Sequence, residues 1–130
     1  MANFPFVIFS PSQIPSSGTT MATITIDPNG LALSAATVVF EIVPEQIHLV
    51  SVTGANGFSA SGIPGGSNFS FGISFGQDQT TPIVAGTAQL QGLIVGGQLQ
   101  LVHQAYTDSQ FNDLVVDTPI VVATVVSSGG

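Results

Sequence analysis

Residues 35–53, AATVVFEIVPEQIHLVSVT, confine this chain to a β architecture. Ala36, Val38, Phe40 and Ile42 fall on one side of an extended chain, with Thr37, Val39 and Glu41 on the other. This is the period-two pattern of a half-buried strand. Beyond Pro44 a second run begins, with Ile47, Leu49 and Ser51 on one side and His48, Val50 and Val52 on the other. Proline has no N–H to give to a sheet ladder, so pairing stops where it stands. Two strands meeting at Pro44, with the turn residue Glu45 behind it, predict a corner at which the chain leaves one sheet and enters another.

The rest of the chain repeats this grammar in shorter phrases. Residues 4–9 read as a first strand between Pro5 and Pro11, and residues 12–19 as a turn-rich link. Residues 21–27 form a strand with Ala22, Ile24 and Ile26 inward, closed by the tight turn Asp27-Pro28-Asn29-Gly30. Residues 54–67 are the longest irregular stretch, with Phe58 and Ile63 as apolar residues inside it. Phe69, Phe71, Ile73 and Phe75 then alternate with Ser70, Gly72 and Ser74, giving one packed face and one nearly bare face open to close approach. Residues 85–95 and 98–106 predict a hairpin about Gly96-Gly97, flanked by Gln89, Gln91, Gln98 and Gln100. A polar loop at 108–113, a short strand at 114–116, a last strand at 120–126 and a flexible tail at 127–130 complete the chain.

Eight or nine short strands without a helix predict an all-β fold, a single antiparallel β-sandwich over residues 1–130 with jelly-roll-like connections. Residues 1–11 are expected to form an N-terminal arm or an edge strand. A chain of 130 residues fits one domain. It has no cysteine, so disulfides and thiolate chemistry are excluded.

The charge inventory narrows function further. There are no lysines or arginines, seven carboxylates and two histidines, for a net charge of −7. Only 5% of residues are charged, against about 25% in an ordinary domain. Without cations the chain cannot neutralise a phosphate backbone or an anionic membrane surface, which excludes nucleic acid and such membranes as partners. It also leaves trypsin no bond to cleave. No run approaches the ~20 apolar residues of a membrane-spanning helix. The N-terminus lacks a basic segment and a long apolar run, so no secretory signal is expected. With 44% hydrophobic residues and a mean hydropathy of +0.53, either the core is large or neighbouring molecules cover part of the outside.

The order of these features resembles the cohesin domain. The resemblance is carried by the strand at 22–27 and the corner FEIVPEQIHLVSVT, which is similar to that family's strand, proline turn and leucine-valine-serine-valine strand. The aromatic strand NFSFGISF, the strand containing Gly86 and the final valine-rich strand continue it. It implies a non-catalytic module that binds a partner through one sheet face, the dockerin module being that family's usual partner.

A nucleophile needs an adjacent base, and only His48 and His103 could serve. Both fall within strands without a serine motif, and His103 is expected beside Leu99 and Leu101. Glu41 and Glu45 could form a glycosidase pair, but no tryptophan accompanies them. Asp108, Asn112, Asp113 and Asp117 are the candidate calcium ligands, since hard cations take oxygen donors; the spacing lacks the EF-hand glycine and final glutamate. No catalytic residue and no cofactor are expected.

The function expected is that of a non-catalytic structural or assembly protein, a decoration or cement protein on a virion surface. Its partners would be further copies of itself or a major capsid protein. The alternatives are an extracellular filament subunit using strand exchange, or a cohesin-like protein- or carbohydrate-binding module at the cell surface. Phe4, Phe6, Val7, Ile8, Phe9, Phe58 and Ile63 are the expected partner contacts, the first five as a sticky arm.

Overall fold

The computed structural model describes residues 4–127 and shows eleven strands and two stacked sheets among them. The strands are β1 (Phe6–Ser10), β2 (Gln13–Pro15), β3 (Thr19–Asp27), β4 (Leu33–Glu41), β5 (Ile47–Gly54), β6 (Ser59–Gly62), β7 (Asn68–Gln79), β8 (Ile83–Gly92), β9 (Gln98–Asp108), β10 (Asp113–Val116) and β11 (Ile120–Val126). A four-stranded sheet runs β1-β3-β8-β5. A seven-stranded sheet runs β2-β11-β9-β4-β7-β6, with β10 also paired to β9. Residues 1–3 of the expected arm and 128–130 of the expected tail lie outside the described residues.

Pro44 does change the sheet. β4 belongs to the larger sheet and β5 to the smaller, and between them Val43 C=O accepts N–H groups from Gln46 and Ile47 at 2.8 and 3.0 Å. The inward residues of both runs build the centre: Ala36, Val38 and Phe40 of the larger sheet and Ile47 and Leu49 of the smaller are buried, as are Ala22, Ile24 and Ile26 of β3 in the smaller sheet. Phe40 stacks on Phe69 at 5.0 Å and meets Phe9 and Phe71 at 5.7 and 6.3 Å, so four rings from two strands of the larger sheet and one of the smaller interlock. The turn after β3 is as expected, with Asn29 and Gly30 at φ 55° and 86° and Leu31 N–H closing on Pro28 C=O at 3.1 Å.

The hairpin about Gly96-Gly97 does not form. β8 lies between β3 and β5 in the smaller sheet, whereas β9 lies between β4 and β11 in the larger. Residues 93–97 therefore cross from one sheet to the other, held by bonds from Leu93 N–H to Gln46 C=O and from Gly96 N–H to Val125 C=O, 2.8 and 2.9 Å. The four glutamines divide between the sheets accordingly. Two glycines supply a turn, but which strands pair is decided by distant partners.

Three smaller corrections follow from strand pairing. The link at 12–19 contains β2, which pairs parallel to β11, so the sandwich is not wholly antiparallel. The irregular stretch contains β6, paired to the edge of β7. Bulges at Val50 and Val102 reverse the alternation of β5 and β9, because two residues there oppose one on the neighbouring strand. Ser51 consequently faces outward, its hydroxyl donating to Gln89 Oε1 at 3.3 Å, while Val52 packs toward the core.

In β9 the bulge turns Gln104 and Tyr106 inward and His103 outward, away from the side of Leu99 and Leu101. Tyr106 O–H donates to Gln104 Oε1 at 2.7 Å, which satisfies a buried polar pair. Burial pushes the Tyr106 hydroxyl far above its ordinary ionisation range.

Candidate functional site

The outer face of the seven-stranded sheet is the broader of the two outer sheet faces. Registers across β6, β7, β4, β9 and β10 set its residues in rows. One row is Ser59, Gly72, Thr37, Ala105 and Val115, and the next is Ser61, Ser70, Val39 and His103. At about 4.8 Å between strands, five strands span roughly 19 Å. The side chains are small because the opposite face of the same strands carries the aromatic core, and period two sends every second residue outward. Gly72 belongs to this face: a Cβ there would sit 3.4 Å from Thr37 Oγ1, an ordinary contact.

Carboxylates border this face rather than fill it. Glu41 lies at one end, opposite Asn68 and Gln100, and Asp113 at the other, opposite Thr107. Asp117, from the loop before β11, reaches back so that its Oδ1 lies 2.5 Å from His103 Nδ1. That pair lies on the open face, with Asp117 largely exposed. His48 sits half-buried on β5 in the other sheet, so the two histidines do not share a site.

The four candidate calcium ligands are engaged in three separate contacts. Asp108 organises its own loop: its Oδ1 accepts N–H groups from Gln110 and Asn112 at 2.9 and 2.8 Å, and its Oδ2 accepts from Asn112 Nδ2 at 3.1 Å. Asp113 accepts from the Thr107 hydroxyl and Asp117 is taken by His103. Among the described residues no three acidic or imidazole groups converge as a metal site would require. Sequence proximity placed these residues in one stretch, but Asp108 is turned onto its own backbone.

The Asn112 amide, above all, holds the Asp108 carboxyl below its ordinary range; slight desolvation opposes this, and the Asn112 side chain and Gln110 N–H reinforce it. The native loop thus binds fewer protons than the unfolded chain at low pH. Its stabilisation is complete above the ordinary aspartate pKa of ~3.9 and is lost as pH falls through the lower native value. In urea titrations from pH 6 to pH 2.5, Asp108→Asn is expected to be less stable than the parent at pH 6. The gap should close toward pH 2.5.

The expected partner contacts separate into three groups. Phe9 and Phe58 are corrections: Phe9 packs on Phe40, and Phe58 makes an edge contact with Phe75 at 5.9 Å, so both belong to the core. Phe4 and Val7 pack partly against that core, Phe4 edge-on to Tyr106 at 6.2 Å. Phe6 and Ile8 face outward on β1, and Ile63 is 76% exposed. The described part of the arm is therefore a strand of its own sheet, paired along β3 from Phe6–Asp27 to Ser10–Thr23.

Hollows indent the surface. A shallow cleft of about 390 Å³ beside β11 is lined by Ser12, Gln13, Val121, Val122, Ala123, Thr124 and Val126, none of them ionisable. A smaller hollow of about 130 Å³ is lined by Glu41, Ile42, Val43, Gln46, Gln98 and Gln100. Glu41 reaches it without Glu45, so the carboxylate pair considered for glycoside hydrolysis does not flank a common cleft.

Neither a protein-family model nor a curated protein sequence matches the chain. Solved structures do. A cohesin module from a family 33 glycoside hydrolase of Clostridium perfringens superposes with a TM-score of 0.68 at 14% identity, over 95% of this chain and 96% of that one. A chain from a type I cohesin–dockerin complex of Clostridium thermocellum gives 0.69 at 10% identity, over 96% and 99%. A non-cellulosomal cohesin from the archaeon Archaeoglobus fulgidus gives 0.66 at 11% identity, over 98% and 94%. Along nearly its whole length, this chain has the fold of the cohesin modules.

Proposed function

We propose that the protein is a non-catalytic assembly module that docks a protein partner on the outer face of its seven-stranded sheet. The observation that carries this is the face itself: an array of mostly small side chains across β6, β7, β4, β9 and β10, interrupted only by the His103–Asp117 pair and backed by the aromatic core beneath. Such a surface lets another backbone approach closely and asks no large side chain to be ordered on binding. Some of the chains that share the fold come from cohesin–dockerin complexes, which supports a protein as the partner class. The bordering carboxylates favour a partner whose rim supplies the cations that this chain lacks.

Within that class, the finer reading is a decoration or cement protein on a virus capsid. A cation-free exterior of net charge −7 supports it, because finished particles coated with such a surface repel one another.

Thr37→Arg and Gly72→Arg place a bulky cation at the middle of the proposed face; Thr23→Arg does so on the outside of the smaller sheet and serves as the control. Each folded variant, checked by circular dichroism, is immobilised and offered extract or particles from the native source. Retained proteins are identified by mass spectrometry, and their affinity is then measured by calorimetry. A partner that loses at least tenfold in affinity for the two face variants and keeps its affinity for Thr23→Arg is the expected result. Equal binding to all three would overturn the face. A captured capsid protein would support the cement reading, and a dockerin-bearing protein would replace it with the cohesin-like one.

A further inference from the structure

The loop between β9 and β10 presents an aromatic ring where the backbone disfavours one. Every other side chain of residues 108–113 is polar, yet Phe111 is 82% exposed, more than any other large apolar side chain among the described residues. A single exposed apolar residue is ordinary on a protein surface. Phe111, however, also holds φ at 65°, a left-handed conformation that glycine and asparagine enter readily and a bulky residue does not. The other non-glycine residues at positive φ among the described residues are both asparagines, Asn29 and Asn56.

This conformation is imposed by the surrounding backbone. Phe111 N–H donates to Asp108 C=O at 2.9 Å, and Asp108 N–H donates to Asn112 C=O at 3.0 Å. The Ser34 hydroxyl donates to the same Asp108 carbonyl at 3.1 Å, and Ser109 N–H ties the loop to Ala32 C=O at 2.9 Å. The Asp108 carboxylate holds the N–H groups of Gln110 and Asn112, so the loop is pinned on both sides of Phe111. A ring that gains little burial and strains its backbone contributes nothing to stability. Strain of this kind concentrates where a residue is positioned for contact.

We propose that Phe111 is a docking anchor that inserts into an apolar pocket on a partner protein, a pocket rimmed by lysine or arginine. The ring defines the interior of that pocket: held on a fixed loop, it is buried on binding without first having to be ordered. The rim follows from charge. Asp108 and Asp113 bracket the loop, and Asp27 and Asp78 belong to the same end of the sandwich, where Leu33 pairs with both Asp108 and Gln79. The chain has no lysine or arginine to neutralise them, so cations around the pocket gain complementarity and speed the encounter. The same carboxylates are repelled by an anionic bilayer, which favours a protein over a membrane as the occupant. This inference rests on the reading that the partner is a protein, but not on which face of the sheet it covers.

Phe111→Asn removes the ring and suits the positive φ, so its urea midpoint should equal or exceed that of the parent. A β-cyclodextrin aminated around one rim, an apolar cavity ringed by cations, serves as the probe, with uncharged β-cyclodextrin beside it. In NMR titrations at ~20 mM salt the aminated host should shift the Phe111 ring signals and bind several-fold tighter than the uncharged one, and lose that advantage at ~500 mM salt. Phosphatidylcholine vesicles should not be bound. Among proteins retained from native-source extract and identified, one should lose at least tenfold in affinity for Phe111→Asn, as measured by calorimetry. A partner that is weakened by Thr37→Arg and not by Phe111→Asn would overturn the anchor and leave the sheet face standing; the reverse would support the anchor and remove the face. A lower midpoint for Phe111→Asn, equal binding of the two hosts, vesicle binding that depends on Phe111, or no retained protein that distinguishes Phe111→Asn from the parent would each overturn the proposal.

Discussion

Replacing Phe40 with alanine is expected to cost about 3–5 kcal/mol, the range measured for phenylalanines lost from well-packed interiors. Against a typical domain stability of roughly 5–15 kcal/mol, this places the variant close to unfolding at physiological temperature. Phe40 is fully buried at the meeting point of the aromatic cluster, stacked on Phe69 and flanked by Phe9 and Phe71. The three surrounding rings are anchored on different strands, β1 and β7, and cannot close over the gap without moving a backbone. Urea denaturation should show a lower midpoint with an unchanged slope, and thermal unfolding should fall by roughly 10–20 °C. Phe6→Ala on the outer side of β1 removes an equally large ring that is 42% exposed, and is expected to cost under ~1 kcal/mol. Similar losses from the two variants would mean that the cluster is not the centre of the fold.

The difference between those two phenylalanines was partly legible in the chain. Alternation put Phe40 beside Ala36 and Val38 on one face, and that face is the core. The sheet change at Pro44 was legible because a missing N–H is a covalent fact, independent of partners. What escaped is non-local. Gly96-Gly97 would turn a hairpin equally well as a crossing, and only the prior claims of β3 and β5 on β8, and of β4 and β11 on β9, decide between them. The Val102 bulge likewise needs a partner strand to define it, and it alone sends His103 to the open face rather than to the side of Leu101.

The candidate face was legible as a pattern but not as a surface. Ser70, Gly72 and Ser74 announced one bare side of a strand, yet their neighbours Thr37, Ala105 and Val115 come from elements up to some forty residues away, joined only by register. The aspartates show the opposite case. Asp108, Asn112 and Asp113 lie within six residues of sequence, and this suggested a shared ligand. Backbone N–H groups inside the same loop were the nearer partners for Asp108, and they claimed it first.

Gly86→Ala is expected to be among the most damaging single methyl additions in the protein. Gly86 lies in the middle of β8, opposite Ile24 on one side and Gly54 on the other, and is buried. A Cβ there would fall 2.2 Å from the Thr53 carbonyl oxygen and 2.6 Å from the Phe71 ring. The ring could tilt, but the carbonyl belongs to a paired neighbouring strand and moves only with its ladder. Overpacking of this kind costs about 1–3 kcal/mol when side chains can adjust, and a backbone obstacle puts the expected loss at or above the top of that range. Gly72→Ala is the matched control, because the same methyl on the outer face meets nothing closer than 3.4 Å and removes unfolded-state freedom. Its stability should stay within ~0.5 kcal/mol of the parent or rise slightly. Phe71→Leu combined with Gly86→Ala relieves the ring contact and leaves the carbonyl contact in place, so the double variant should recover only part of the Gly86→Ala loss relative to Phe71→Leu alone. Full recovery would identify the ring as the whole obstacle, and a Gly86→Ala chain as stable as the parent would show that the two sheets do not approach this closely at β8.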